Sequence, residues 1–144
     1  MKDKIVIITG GSSGIGRALA TKFGLQGSRV LITGRNKGAL DKTVDELRAK
    51  GITIHGFQGD VTQEADNKAM AEEAVRLYGG IDILINNAGI SMRAAFTEVD
   101  LDVVRKVMET NYFGAVYASR YCLPEIIKSK GSIVGVSSIA GFVG

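Results

Sequence analysis

The stretch TGGSSGIG, residues 9–16, directly follows the apolar run Ile5–Ile8. Its small and polar residues include Gly10, Ser12, Ser13, Gly14 and Gly16. Glycine tolerates positive φ angles and lets the backbone come close to a ligand. A turn of this kind between a strand and a helix presents free N–H groups and the positive end of the helix dipole to an anion. The stretch predicts a strand–turn–helix unit with an anion site, or, as the plainer alternative, a tight turn that needs glycine for packing.

Apolar segments of strand length alternate with segments of helix length along the chain. We predict strands over residues 4–9, 29–33, 53–58, 81–86 and 132–137, and helices over residues 15–26, 37–50, 63–78 and 100–130. Most of the strands are apolar throughout, which is typical of parallel strands covered on both faces. With right-handed crossovers, this pattern predicts an α/β fold: a Rossmann-like, doubly wound parallel sheet of strand order 3-2-1-4-5 in a single domain over residues 1–144.

The predicted helix ends carry the residues that commonly terminate helices. Gly27, Gly51 and Gly79 follow the first three helices, where a left-handed C-terminal cap favours glycine. Asn36 and Thr62 precede the second and third helices and are predicted to be their N-caps.

Composition excludes several classes of function. The 18 basic residues are mixed with 15 acidic ones, so no basic stripe suggests a nucleic-acid partner. Cys122 is the single cysteine, so an internal disulfide is excluded. We expect Cys122 to be a small core residue. With one cysteine and one histidine, His55, metal-ligand spacing is absent. The sequence shows no signal-peptide pattern and no stretch of bilayer length, so we expect a cytoplasmic protein without a transmembrane segment.

The usual occupant of a glycine turn after the first strand is the diphosphate of a dinucleotide. In many NAD sites, an acidic residue about 20 positions further on accepts the ribose 2′-hydroxyl. Here no Asp or Glu occurs between Gly10 and Asp41, and Arg35 stands at the end of the second predicted strand. A guanidinium can bind a 2′-phosphate. We therefore predict NADP(H) as the preferred cofactor, with NAD(H) as an alternative and a solvated loop arginine as the plainer interpretation of Arg35.

Five segments in order then suggest a family. They are Thr9-Gly10-x-x-x-Gly14-x-Gly16, Asp60-Val61, Asn86-Asn87-Ala88-Gly89, Asn111-Tyr112-Phe113-Gly114 and Ser137-Ser138. With these segments the sequence resembles the classical branch of the short-chain dehydrogenase/reductases over its whole length. The resemblance implies an oxidoreductase that moves a hydride between NADP(H) and a small-molecule carbonyl or alcohol substrate.

The resemblance also implies residue roles. Asp60 would accept from the adenine amino group, unless it is simply a turn or cap residue. Asn111 would hold a water of the proton relay on its backbone carbonyl. Ser138 would hydrogen bond to the substrate oxygen, with Ser137 as the competing choice. The residues expected to contact the cofactor are Gly10, Ser12, Ser13, Gly14, Ile15, Gly16, Arg35, Asn36, Asp60, Val61, Asn87, Ala88 and Gly89.

One part of the family's pattern is missing. The family uses a Tyr-x-x-x-Lys pair beyond the serine, and none of the four tyrosines here has lysine four positions later. The sequence ends at Gly144, six residues after Ser138. We therefore expect a C-terminally incomplete Rossmann domain that lacks the remaining strands and helices, with strand 132–137 at an open edge. By itself this chain is expected to be marginally stable and largely inactive.

Three functions are compatible with these observations. The leading one is the NADP(H)-linked oxidoreductase, whose intact form we expect to be a homodimer or homotetramer, as is usual in the family. The second is a dinucleotide-binding or sensing module without catalysis. The third, a different nucleotide user such as a methyltransferase, is disfavoured by the Asn87 segment together with Ser138.

Overall fold

The computed structural model describes residues 1–95 and 97–139. Its strands are β1 (Ile5–Ile8), β2 (Arg29–Gly34), β3 (Ile54–Gln58), β4 (Ile83–Asn86) and β5 (Ser132–Gly135). Its helices are α1 (Gly14–Leu25), α2 (Lys37–Arg48), α3 (Glu64–Tyr78), α4 (Leu101–Met108) and α5 (Gly114–Ser129), with a π-helical segment (Glu109–Phe113) between the last two. All predicted elements are present, with ends that differ by up to two residues apart from the division of the last helix.

The strands form one parallel sheet in the order β3-β2-β1-β4-β5, which confirms the predicted topology. The chain therefore runs outward from β1 to one edge, returns, and continues on the other side of β1. β5 is shorter than predicted because its pairing with β4 ends at Gly135, after which only the Val136 N–H donates to the Asn86 carbonyl. All four residues of β5 are exposed, consistent with the expected open edge.

Helices cover both faces of the sheet. Alternate residues of a strand point to opposite faces, so Val6 and Ile8 face one layer while Ile7 faces the other. The first layer is packed with side chains of α1 and α2 that include Ala20, Leu40, Val44 and Leu47. The second is packed with side chains of α3 and α5 that include Met70, Ala74, Ala118, Cys122 and Ile126. Cys122 is fully buried, which confirms its predicted place in the core.

Most of the predicted helix ends are confirmed. Gly27, Gly51 and Gly79 have φ angles of 85°, 78° and 90°, in the left-handed region. The Asn36 side chain accepts a 3.0 Å hydrogen bond from the Ala39 N–H at the start of α2.

The prediction for Thr62 was wrong, because Gln63 is the residue that precedes α3. The backbone N–H and the hydroxyl of Thr62 both donate to Oδ1 of Asp60, each over 3.0 Å. Since Asp60 begins an Asx-type turn with these two donors, Thr62 is committed to that turn instead of capping the helix.

The long helical region is continuous but not uniform. The π-helical segment divides it, with Asn111 at its centre. Of its apolar residues, Ile126 is buried in the core, whereas Leu123 and Ile127 are 43% and 66% exposed. The apolar positions of this region therefore divide between the core and a free surface.

Candidate functional site

A cavity of about 450 Å³ lies at the carboxyl ends of the strands, where the chain order reverses between β1 and β4. Ligands of open α/β sheets bind at this kind of position. It is lined by Gly10, Ser12, Ser13, Gly14, Ile15, Thr33, Gly34, Arg35, Asn36, Gly59, Asp60, Val61, Asn87, Ala88, Gly89, Ile90 and Thr110. Every residue predicted to contact a cofactor is in this set except Gly16, although the predicted residues come from four separate loops.

The glycine loop supplies the floor of this cavity. Gly10 and Gly14 have φ angles of 66° and 50°, which residues with a side chain rarely adopt. A Cβ on Gly10 would lie 3.0 Å from the Cα of Ala88, so the loop passes very close to the end of β4. A Cβ on Gly14 would have no heavy atom within 4 Å. The backbone at Gly14 is therefore open on the side where a ligand would approach, which fits a bound diphosphate.

Gly16 lies beneath the loop and not on the cavity wall. A Cβ at this position would overlap the carbonyl oxygen of Gly10 and lie 2.5 Å from Nδ2 of Asn87. Helix α1 can therefore approach the glycine loop only with glycine at this position. The structure gives Gly16 a packing role, and a contact of Gly16 with a cofactor stays a prediction.

Gly11 is a residue that the sequence analysis passed over. Its N–H donates to the Thr33 carbonyl over 2.9 Å, and a Cβ there would lie 2.5 Å from the Cβ of Ile32. The loop is thus joined to the end of β2 as well as to β4. The adjacent glycines Gly10 and Gly11 were the available sequence signal, because each suggests a point where the backbone of the loop packs closely against another element.

Arg35 and Asn36 follow β2 on the cavity wall. Arg35 is exposed, and its backbone carbonyl accepts a 3.2 Å hydrogen bond from Nε2 of Gln58. Across residues 1–95 and 97–139, no carboxylate pairs with the Arg35 guanidinium, although Lys37 nearby pairs with Asp41. The guanidinium is therefore available to an anionic ligand.

Asp60 and Val61 occupy the wall beside β3. Oδ1 of Asp60 is used by the turn with Thr62, and the Asp60 N–H donates to the Asp66 carboxylate over 2.8 Å. Asp60 therefore has the turn role of the plainer interpretation, whatever contact it makes with a ligand. Its place on the cavity wall is compatible with a ligand contact in addition.

Asn87 ties the carboxyl end of β4 to that of β1. Its Nδ2 donates to the carbonyl oxygens of Thr9 and Gly10 over 2.9 and 3.2 Å. The hydroxyl of Thr9 accepts from the N–H groups of Asn87 and Ala88, both over 3.0 Å. This network holds the two strand ends, and with them the glycine loop, in a fixed arrangement.

A second cavity of about 830 Å³ adjoins the first, with which it shares seven lining residues. The shared residues are Ile15, Val61, Asn87, Ala88, Gly89, Ile90 and Thr110. Asn111, Ser137 and Ser138 line this second cavity together. The predicted catalytic residues, 26 or more positions apart in sequence, therefore meet beside the predicted cofactor residues, and both serines remain candidates.

The π-helical segment sets the position of Asn111. Its Oδ1 accepts from the Ile90 N–H and its Nδ2 donates to the Ile90 carbonyl, both over 2.8 Å. These two bonds connect the long helix to the loop after β4. π-Turns inside α-helices are frequently found at functional sites, and the extra residue here provided no clear sequence signal.

The tyrosines are placed elsewhere. In the described part of the chain, none of the four lines either cavity. Tyr78 donates to the Val30 carbonyl, and burial raises its pKa. Tyr121 donates to the Glu64 carboxylate over 2.5 Å, and this bond raises the pKa of Tyr121.

Within residues 1–95 and 97–139, no three His, Cys, Asp or Glu side chains form a group that could hold a metal ion. The helices in the same residues include none with both the length and the apolar character needed to cross a bilayer. His55 lies in β3, as predicted, 3.4 Å from the Glu73 carboxylate.

Known proteins resemble this chain over nearly its full length. The dehydrogenase/reductase SDR family member 7B of Bos taurus is 40% identical over 148 residues, which cover 98% of this chain and 46% of the relative. The chain thus spans about half the length of the curated relatives it matches.

Solved structures agree. A short-chain dehydrogenase/reductase from Burkholderia phymatum in complex with NAD is 32% identical with a TM-score of 0.96, over 99% of this chain and 52% of that one. The F189W actinorhodin polyketide ketoreductase with NADPH is 31% identical with a TM-score of 0.94, over 100% and 57%. The model of the short chain dehydrogenase family matches residues 4–144. On this match and the parallel fold, the chain belongs to the short-chain dehydrogenase/reductase family.

Proposed function

We propose that the protein is an NADP(H)-linked oxidoreductase that transfers a hydride between the nicotinamide and a carbonyl or alcohol carbon of a small molecule. The observation that carries the proposal is the pair of joined cavities. One gathers the glycine loop and the ends of β2, β3 and β4, and the other gathers Asn111 with Ser137 and Ser138. A bound nicotinamide cofactor would supply the hydride to a carbonyl carbon or accept it from an alcohol carbon.

The first cavity would hold the cofactor. The N–H groups around Ser12, Ser13 and Gly14 suit the diphosphate, because they stand at the N-terminus of α1. Asp60 and Val61 suit the adenine, and the segment Asn87, Ala88 and Gly89 suits the ribose next to the nicotinamide. The related structures with NAD and with NADPH support a nicotinamide dinucleotide of either kind.

The preference for NADP(H) rests on Arg35. Its guanidinium is exposed on the wall of the first cavity and has no ion-pair partner among the described residues. A 2′-phosphate would give it a charge-assisted hydrogen bond, worth about 1.5–3 kcal/mol. No acidic residue precedes Arg35 in the loop to compete for it or to select a free 2′-hydroxyl.

The second cavity would hold the reacting group of the substrate. Ser138 would donate a hydrogen bond to the substrate oxygen and stabilise the negative charge that develops there. Ser137 is the alternative donor, since both serines line the cavity. Two hydrogen bonds between its side chain and the backbone of Ile90 hold Asn111 in place. Its backbone carbonyl would hold a relay water.

Residues 1–144 by themselves are expected to bind the nucleotide with little turnover. No tyrosine of the sequence is followed four positions later by lysine, and none of the four lines either cavity in the described part of the chain. Nucleotide binding without catalysis, as in a sensing module, is therefore the second candidate function. The two candidates predict the same binding and opposite turnover in the protein that the complete gene encodes.

Isothermal titration calorimetry with NADPH and NADH tests the cofactor assignment on the protein made from its complete gene. We expect tighter binding of NADPH by about tenfold or more. Equal affinities would refute the assignment to Arg35, and no binding of either nucleotide would refute the proposed function. A fall in the absorbance of the reduced nicotinamide of NADPH, measured with a panel of ketones and aldehydes, separates the reductase from the sensing module.

Two properties of the intact protein stay predictions. The first is its homodimeric or homotetrameric state, for which the exposed apolar side chains of α4 and α5 are suggestive; Leu101 and Ile127 are 58% and 66% exposed. The second is its cytoplasmic location. Light scattering of the purified protein tests the first, and fractionation of cells tests the second.

A further inference from the structure

Thr43 makes an unusual hydrogen bond for a buried threonine in a helix. Such residues commonly donate to a carbonyl one turn earlier in their own helix, as Thr21 does to Arg17 over 2.9 Å. Thr43, on the inner face of α2, donates instead to the carbonyl oxygen of Ser12 in the glycine loop, over 3.0 Å. It is 2% exposed, so this bond is shielded from water.

The bond fixes the orientation of one peptide unit. The Ser12 carbonyl belongs to the same unit as the Ser13 N–H, and the described chain contains no cis peptide. In a trans unit the C=O and N–H groups point in opposite directions. With the oxygen held by α2, the Ser13 N–H points away from α2. Ser12 and Ser13 both line the first cavity, and no described residue accepts a hydrogen bond from this N–H.

This orientation matters for a bound anion. An N–H group that faces the diphosphate attracts it, whereas a rotated unit would present the Ser12 carbonyl oxygen and repel it. Gly14 follows with a positive φ angle, which makes the loop conformationally permissive at this point. The Thr43 hydroxyl stabilises only the orientation in which the carbonyl faces α2.

Helix α2 is itself well placed to transmit this constraint. One turn after Thr43, the Glu46 carboxylate pairs with the guanidinium of Arg17 in α1. At its other end, α2 starts at the Asn36 cap, next to Arg35. The same helix therefore connects the proposed 2′-phosphate site to the proposed diphosphate site.

From these contacts we infer that Thr43 is a positioning residue for the cofactor, which holds the Ser12–Ser13 peptide unit so that its N–H faces the diphosphate. The inference rests on the proposed function, because it requires a nucleotide in the first cavity. It assigns to α2 a role in diphosphate binding in addition to the contact of its N-terminal end with the 2′-phosphate.

The test compares Thr43→Val, which keeps the shape and removes the hydroxyl, with Thr43→Ser, which keeps the hydroxyl. Binding of NADPH and of adenosine 2′-monophosphate, which has no diphosphate, is measured by calorimetry on each variant. We expect Thr43→Val to weaken NADPH binding by about tenfold and Thr43→Ser to remain within about twofold of the unmodified protein. Affinity for adenosine 2′-monophosphate should be the same in all three.

Three results would overturn the inference. Unchanged NADPH binding by Thr43→Val would refute the role of Thr43 and leave the proposed function intact. An equal loss for both ligands would show a general loosening of the site instead of a diphosphate effect. Absence of nucleotide binding by the unmodified protein would remove the proposed function and this inference together. If Thr43→Val does not fold, Thr43→Ala replaces it in the comparison with Thr43→Ser, under the same criteria.

Discussion

The hydroxyl of Thr9 accepts a 3.0 Å hydrogen bond from the backbone N–H of Asn87, and the Asn87 side chain donates back to the Thr9 carbonyl over 2.9 Å. The two residues are 78 positions apart in sequence and lie at the ends of adjacent parallel strands. This reciprocal pair of hydrogen bonds joins the carboxyl ends of β1 and β4, where both cavities meet. Its effect is to fix the glycine loop relative to β4, which no local feature of either segment could do.

Removal of the Thr9 hydroxyl is expected to destabilise the protein. Thr9 is 2% exposed, so Thr9→Val would leave the N–H groups of Asn87 and Ala88 without their acceptor. We expect a loss of about 2 kcal/mol in the free energy of unfolding, measured by urea denaturation. Thr9→Ser retains the acceptor and should lose clearly less. Equal losses in the two variants would show that the methyl group, and not the hydroxyl, matters.

A side chain at Gly16 is expected to disturb the glycine loop. In Gly16→Ala, the new Cβ would overlap the Gly10 carbonyl and approach Asn87, so the loop must shift. We expect a loss of about 1–3 kcal/mol in stability together with loss of NADPH binding. Gly51→Ala is the control, because Gly51 has a φ angle of 78° but open space around its Cβ. It should cost about 1 kcal/mol of stability and leave the dissociation constant for NADPH unchanged; a parallel loss of binding would contradict the loop mechanism.

Substitution of Arg35 is expected to change the preference between cofactors. Arg35→Ala should weaken NADPH binding by about ten- to a hundredfold and leave NADH binding unchanged, because only the 2′-phosphate is bound by the guanidinium. Calorimetry with both nucleotides measures the effect. Arg76→Ala is the matched control, since Arg76 pairs with Glu73 on α3 and lines neither cavity at the carboxyl ends of the strands. An equal loss for NADPH and NADH would place Arg35 elsewhere than at the 2′-phosphate.

The amino-terminal end of the sheet should make stability dependent on acid pH. Burial of Asp82 opposes its ionisation, but hydrogen bonds from Lys4 (2.6 Å) and the Ile5 N–H (2.9 Å) outweigh it and hold the pKa of Asp82 below its usual range. A lowered pKa in the folded state stabilises the protein above the pKa of the unfolded state, and this contribution is lost as the pH falls through the folded pKa.

The free energies of unfolding of the unmodified protein and of Asp82→Asn should therefore differ at neutral pH. We expect the unmodified protein to be more stable by about 1 kcal/mol above roughly pH 5, with the difference shrinking below roughly pH 4 as the carboxyl group is protonated. Urea denaturation over this pH range measures it. Because Asp82 lies at the end of the sheet opposite the cavities, NADPH binding at neutral pH serves as the control and should not change. A difference that is constant with pH would exclude the ionised carboxylate as its source.

Cys122 should be unreactive in the folded protein. It is fully buried between α5 and the sheet, and burial raises its pKa to about 12. Because the thiolate is the nucleophile, alkylation by iodoacetamide at around pH 8 should be slow in native buffer and rapid in urea. Mass spectrometry of the two samples measures the difference. Rapid modification in native buffer would show that α5 opens readily.

The sequence by itself determined the architecture. The apolar runs, the glycines after three helices and the alternation of segments were sufficient to predict a parallel, doubly wound sheet, because each of these signals is local and repeated. The strand order was predicted from the topology of Rossmann-like folds. Residues of the glycine loop, Arg35 and the Asn87 segment were also predicted from sequence, and the structure places them on the wall of one cavity. Thr62 was assigned wrongly because a local pattern allowed both a cap and a turn, and the Asp60 side chain decides between them.

Only the tertiary structure decided which of these residues work together. The close packing of Gly16 beneath Gly10 depends on how closely α1 approaches the loop. The bond from Thr43 to Ser12 joins two elements whose separation in sequence, 31 positions, gives no sign of contact. The π-turn that directs Asn111 to Ile90 is equally unmarked. Local sequence sets the conformation of a segment, whereas contacts across the sheet depend on strand order, register and packing distance, which exist only once the chain has folded.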